Sequence, residues 1–477
     1  MKRISIIIAS ALLLITSCKE DFIEINPTST VSVDALYKTD KDYQDAVIGV
    51  YSAYQPQYQN FWEFADLRAD DSWQEVAQQI AQVRMDNFTL DNNEGILVSS
   101  WRNYYQIINR ANAILASIEE ADVAIVKNKD RHIGETKFLR ALAYFDLVRI
   151  FGDVPMLTTP ITTQESYNVG REKVDKIYDE IIIKDLLDAE TKLPIKYTGT
   201  DVGRATQGAA KALLARVYLT RKDFVNAEIK LQQVTTLGYA LLNNYNDLFD
   251  YTKDEHHSEY IFDIEYEEGM GEGSIFTNRF SPLTPTVTSF YGISGTVNDM
   301  NFPTESLFAA FEPNDKRKEI TVAKGITDQN GNFIPLPAGR SSFTKKYMTQ
   351  VKIGNDSRAN WKVIRYADVL LMYAEALNED GKTDEALIYL NQVRERAGLP
   401  GYSDLTKDEA REKIYLERRL ELSFEGHRWF DLVRTGRAYE TMKPYGMQPH
   451  MILFPIPQSQ VELINNRSIF PQNPGYN

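Results

Sequence analysis

Three glutamates at four-residue spacing, Glu417, Glu421 and Glu425, are the first residues in this 477-residue chain whose types could do chemistry. With Arg418, Arg419, Arg428 and Asp431 nearby they have the composition of a glycosidase site. Glycoside hydrolysis needs two carboxyls about 5–9.5 Å apart, across a cleft that holds the sugar. Carboxylates on successive turns of one helix point the same way and cannot flank a bond. The spacing therefore predicts a charge ladder on a helix face, each i,i+3 or i,i+4 pair contributing about 0.2–0.5 kcal/mol.

The five histidines, His132, His256, His257, His427 and His450, form no H-E-x-x-H arrangement. His256-His257, with Asp254, Glu255 and Glu259, has metal-ligating types, but adjacent side chains rarely converge on one ion, so a solvated loop is expected. Gly269-Met-Gly-Glu-Gly273 lacks the spacing of a dinucleotide loop, and its acidic neighbours would repel pyrophosphate. No Walker sequence and no Gly-x-Ser-x-Gly elbow occur. Neither catalysis, nor a cofactor, nor a metal is expected.

Aromatic residues are the positive signal: 27 Tyr, 22 Phe and 5 Trp. Sugars present apolar C–H faces, which rings cover, and hydroxyl rims, which carboxylates, amides or Arg bond. Asn60-Phe-Trp-Glu-Phe64 and Ala69-Asp-Asp-Ser-Trp73 combine both types in what reads as a loop-rich stretch, and Phe290-Tyr291 offers a second wall. Trp62, Asp70, Asp71, Trp73 and Tyr291 are the candidate ligand-binding residues.

The elements that must position them are mostly helical. Apolar residues recur at helical spacing over Trp101–Ala116 and Gly134–Phe151, the latter stopped by Gly152 and Pro155. Val174–Leu193, closed by Pro194, is a third helix. Ala215, Ala227, Leu231 and Val234 share their spacing with Ala374, Ala386, Leu390 and Val393. Each set reads as helix, short turn, helix, and fits a tetratricopeptide-type hairpin. The turns are Lys222-Asp223 and Asp380-Gly381-Lys382. Trp101–Ala116 with Gly134–Phe151 offers a further pair. Between about Leu242 and Lys362 glycines, prolines and short aromatic runs alternate, and Tyr260–Tyr266 alternates like a strand. Long irregular stretches on a helical scaffold are where binding function tends to sit. Thr406-Lys-Asp-Glu409 has capping-box spacing ahead of a helix through Leu422. A second helix runs from Phe424 to Thr435, broken near Gly426, and a proline-rich tail follows.

Composition narrows the function. Hydrophobic residues make up 43% and charged residues 25%, which excludes wholesale disorder. Net charge is -14, from 67 acidic and 53 basic residues; nucleic-acid affinity rests on Lys and Arg neutralising phosphates, so that partner is excluded. Beyond residue 20 no apolar run approaches the roughly 20 residues a membrane span needs. Cys18 is the one cysteine, so there is no intramolecular disulfide and no cysteine-based zinc site. Lys2 and Arg3, then the apolar run Ile4–Ile15, read as a secretory signal peptide. Ile15-Thr16-Ser17-Cys18 resembles a bacterial lipobox, which makes Cys18 the lipidation site and the first mature residue. Several acyl chains together form a stable anchor where one would not.

Taken together these motifs resemble the SusD/RagB family of nutrient-binding outer-membrane lipoproteins of Bacteroidetes. Cys18-Lys-Glu-Asp-Phe22 with Pro27 is similar to its lipidated start. Arg140–Leu147 and Phe151–Pro155 are similar to its early helix and turn, and Thr206–Tyr218 to its next helical pair. Glu417–Leu432 with Arg434-Thr-Gly436 is the most specific segment, and Asn473–Tyr476 is similar to its end. The resemblance implies a mainly α fold of tetratricopeptide-like helical pairs, with a loop-rich irregular region and short strands. The expected division is 1–17 signal peptide, 18–33 lipidated tether, 34–241 helical part, 242–362 irregular region, and 363–477 helical part with extended tail. It further implies a lipid-anchored protein facing the exterior, which captures oligosaccharides or related nutrients and delivers them to a TonB-dependent SusC-like barrel. A peptide- or protein-binding scaffold and a lipid-anchored glycosidase are the alternatives.

Overall fold

The computed structural model describes residues 36–74, 79–337 and 342–476. Cys18, the signal peptide and the tether lie outside them.

The first helix, α1 (Asp40–Tyr58), starts at a Thr39–Asp42 capping box and buries Tyr43, Val47, Val50 and Tyr54. It packs on α2 (Gly95–Ile118) and α3 (Lys129–Phe151), which also pack on each other. The expected pair therefore forms, each helix extending N-terminally beyond its apolar stripe. Gly152, at φ 73, ends α3 in a conformation open to glycine. The third expected helix, α4, runs over 174–192 with a π turn at Tyr178–Ile182 and stops before Pro194.

Both tetratricopeptide-like hairpins form. α5 (Gln207–Thr220) pairs with α6 (Phe224–Thr235), and α7 (Tyr366–Glu379) with α8 (Thr383–Arg396). Ala215, Ala227, Ala374 and Ala386 are fully buried, so the helices of each pair approach closely around Leu231 and Leu390. The turns reverse through positive-φ Lys222 and Gly381. α6 stacks on α7, so the second hairpin covers the open face of the first although about 130 residues of chain separate them. α9 (Lys407–Leu422) packs on α7 and α8 and begins at the expected box, Thr406 Oγ1 accepting from Glu409 N at 3.3 Å. After a turn, α10 (Arg428–Arg434) completes this layer.

The irregular region is tied to the helices by short strands. β2 (Tyr260–Ile264) pairs antiparallel with β6 (Trp361–Arg365), which runs straight into α7. β1 (Ser72–Trp73) pairs with β3 (Phe302–Pro303), and β4 (Gly325–Thr327) with β5 (Phe333–Pro335). One connected apolar core runs from Tyr43 to Phe470 and takes in residues of all ten helices and of β2, β4 and β6.

Two expectations need correcting. Asn60–Phe64 is not loop: Phe61–Phe64 are buried, and the chain continues into a π turn, Glu63–Leu67. Its rings are absorbed by the core, Trp62 edge-on to Phe280 at 5.2 Å and Phe64 edge-on to Phe454 at 5.0 Å. Nor do Glu417, Glu421 and Glu425 form an exposed ladder. The irregular region folds back over α9 and brings cations onto all three carboxylates, and Glu425 lies beyond the end of the helix.

Candidate functional site

Glu417, Glu421 and Glu425, the carboxylates with the composition of a catalytic site, are all enclosed. Glu421 is 0% exposed and accepts from Arg365 Nη1 at 2.5 Å, Arg317 Nη1 at 3.1 Å and Arg396 Nη2. Glu417 accepts from Arg317 at 2.6 Å and Arg394 at 3.1 Å. Glu425 accepts from Arg365 at 2.6 Å and Lys346 at 2.6 Å. Glu259, from the irregular region, joins through Arg365 and Arg396. Burial alone would raise the Glu421 carboxyl, but Arg396, Arg365 and Arg317 hold it far below the ordinary range. Burial likewise opposes Arg365 and Lys346 at Glu425, which is nevertheless brought down to about 2. A general acid needs a raised pKa; Glu421 and Glu425 are instead held ionised, and all four carboxylates are buried away from any substrate. The network fastens 259, 317 and 346 of the irregular region, with Arg365 at the end of β6, to α8, α9 and the turn that follows α9.

Asp70 and Asp71 serve the same fastening. Arg428 grips Asp70 with both ends of its fork, at 2.7 and 2.9 Å, and Arg419 Nε donates to Asp71 at 2.6 Å. Burial works against it, but Arg428 and Arg419 keep the Asp70 carboxyl below its ordinary value; burial pushes that of Asp71 up. Both side chains face inward, so the expected sugar-bonding role does not match their placement. Nor does it for Trp62, which is 0% exposed and shows no face to a ligand.

Trp73 is placed differently. It is half-buried, in register with Phe302 across β1–β3, the rings 5.4 Å apart and tilted 39°. A set of amides staples this seam. Asn301 N donates to Gln74 Oε1 at 3.2 Å, Gln74 Nε2 to Asp299 O at 3.3 Å, and Gln79 Nε2 to Asn298 O at 3.1 Å. Ser72 Oγ lies 2.5 Å from Asn301 Oδ1. Thr304 closes the far side, bonding the carbonyls of Asp70 and Asp71. Asp299 and Asn301 sit at φ 61 and 59, the left-handed region that Asp and Asn tolerate best. The Asn301 Nδ2 donor is buried and unpartnered.

Tyr291 belongs to a separate place. It ends the helix Pro285–Tyr291, edge-on to Phe290 at 4.9 Å, and that helix packs beside β4. Sequence reasoning missed Phe302 and Asn301, because a two-residue strand pairing across more than 200 residues leaves no periodic signal. The polar run Val297-Asn-Asp-Met-Asn301 was the one available hint. Of the histidine cluster, His256 Nε2 meets Glu265 at 2.8 Å and His257 Nδ1 accepts from Glu259 N at 3.1 Å. Among the described residues no group of three or more His, Cys, Asp or Glu could hold a metal.

Two family models match parts of the chain. A model of the SusD family matches residues 339–452, and a second, described as starch-binding and associating with the outer membrane, matches 21–219. The SusD-like protein P2 of Formosa agariphila is 28% identical, with all of both chains covered. The SusD-like protein P38 of the same organism is 29% identical over 95% of this chain and 96% of its own. A solved structure of a laminarin binding SusD-like protein is 28% identical and superposes with a TM-score of 0.78, covering 92% of this chain and 100% of that one. The chain belongs to the SusD family. In this SusD-family chain Glu417, Glu421 and Glu425 fall inside the first matched segment and Trp73 inside the second. Asn298–Phe302, the other half of the Trp73 seam, falls between them.

Proposed function

We propose that this SusD-family protein captures oligosaccharides outside the cell, with Trp73 as the stacking face, and passes them on without cleaving them. The observation that carries this is the Trp73–Phe302 seam: a partly exposed indole paired with Phe302 across β1–β3, on strands stapled together by Gln74, Ser72 and Asn301. The fixed carboxylates support a binding rather than a hydrolytic role. The laminarin-binding relative makes β-glucan oligosaccharides the first ligands to try. Acyl chains on Cys18 would hold the protein to the outer membrane, since among the described residues no helix is long and apolar enough to cross one. A TonB-dependent SusC-like barrel would receive the ligand.

Calorimetry of the mature chain, with Cys18 replaced by Ala, against a panel of oligosaccharides tests the ligand class. Saturable binding of at least one glycan is expected, with no reducing ends released. Binding of peptides alone would overturn the glycan reading, and turnover would overturn the non-catalytic one. Affinity purification of the lipidated protein from its own outer membrane tests the partner: a co-purifying barrel is expected.

A further inference from the structure

A groove of about 460 Å³ lies on another part of the surface, between α2, the 155–169 connection and the C-terminal segment. That volume is in the range of small-molecule sites. Val98, Trp101 and Tyr105 line it from one stripe of α2. The helix Gln458–Ile464 supplies the facing wall, with Leu463 49% exposed, and Phe470 forms the floor.

Two features define what would fill it. First, the Trp101 ring is no sugar platform. It is 5% exposed, with Tyr105, Phe151 and Phe470 packed around it at 5.2, 5.2 and 6.0 Å. Most of the remaining wall is aliphatic, and the polar residues in it, Gln106, Asn109, Thr162, Ser166 and Gln460, are all uncharged. Such a surface takes methylenes, which need contact but no hydrogen bonds. Second, no carboxylate lines the groove, although the chain carries 67 acidic residues. The one charge in the lining is Arg102, exposed, with no ion pair or hydrogen bond among the described residues. An apolar trough with a single free guanidinium beside it complements an aliphatic tail with an anionic head.

We propose that this groove binds a free medium-chain alkyl carboxylate, its tail along α2 and its head on Arg102. The site is separate from the Trp73 seam and does not depend on the glycan reading.

Calorimetry of the mature Cys18→Ala chain with hexanoate, octanoate and decanoate, all below micelle formation, tests it, with decanol as the uncharged control. Affinity should rise about fourfold per added methylene. Arg102→Gln should bring decanoate down to the affinity of decanol while keeping the chain-length trend. Leu463→Glu, at a position exposed enough to tolerate the change, should weaken decanoate at least tenfold and leave glycan binding intact. Any one of four results overturns the proposal: no heat with millimolar decanoate, affinity independent of chain length, an unchanged carboxylate preference in Arg102→Gln, or capture of phosphatidylglycerol vesicles by a protein that ignores decanoate.

Discussion

Glu421→Gln replaces a carboxylate by an amide of the same shape at the centre of the buried network. Arg317, Lys346, Arg365, Arg394 and Arg396 there face Glu259, Asp315, Glu417, Glu421 and Glu425, five enclosed cations against five enclosed carboxylates. The substitution leaves this interior with one uncompensated positive charge, and three guanidiniums lose a charged acceptor together. Removing one partner of a buried pair costs about 3–5 kcal/mol. An exposed ladder would lose about 0.2–0.5 kcal/mol per pair, so the two arrangements differ roughly tenfold. Urea denaturation of the mature Cys18→Ala chain measures the difference: the midpoint should drop while the slope stays the same. Adding Arg396→Met takes away one stranded cation and should recover part of the loss, a coupling that only residues in contact display. A loss below about 1 kcal/mol at unchanged slope would refute the argument, because a charge that costs so little to strand is not enclosed.

Four further outcomes are expected. Trp73→Ala should weaken glycan capture by about 1–3 kcal/mol, by analogy with base–aromatic stacking, whereas Trp62→Ala should cost about 3–5 kcal/mol of stability as a core deletion; calorimetry and denaturation on each variant separate the two. Gly295→Ala should destabilise by about 1–3 kcal/mol, since Gly295 is at φ +81 and a Cβ there would come 2.6 Å from Gly354 Cα; a thermal melt reads this. Stability should fall steeply below pH 4.5, because the Glu421 and Glu425 carboxyls are held below their ordinary 4.5 when folded; stabilisation present above that value is lost as pH falls toward about 2. Between pH 7 and 4.5 the curve should be flatter, with Glu63 and Asp263, pushed by burial to about 7, gaining on acidification while His257, held by burial near 4, loses. Cys18→Ser should abolish acylation and move the protein from the membrane to the soluble fraction, as seen by mass spectrometry and fractionation.

How legible the molecule was depended on the range of the interactions. Helices announce themselves locally, through spacing, caps and stops, so the sequence alone located α2, α3, the paired hairpins and the Thr406 cap. It also located the Tyr260–Ile264 strand, and its motifs together located the family. What a local pattern cannot carry is the partner that arrives from far along the chain. Glu421 reads the same on a solvated helix as in a sealed one, and only the return of Arg317 and Arg365 across α9 decides between them. Trp62 and Trp73 are both aromatic residues beside acids. The tertiary structure alone separates them, because Phe280 closes over one ring while the Asn301 loop leaves part of the other uncovered.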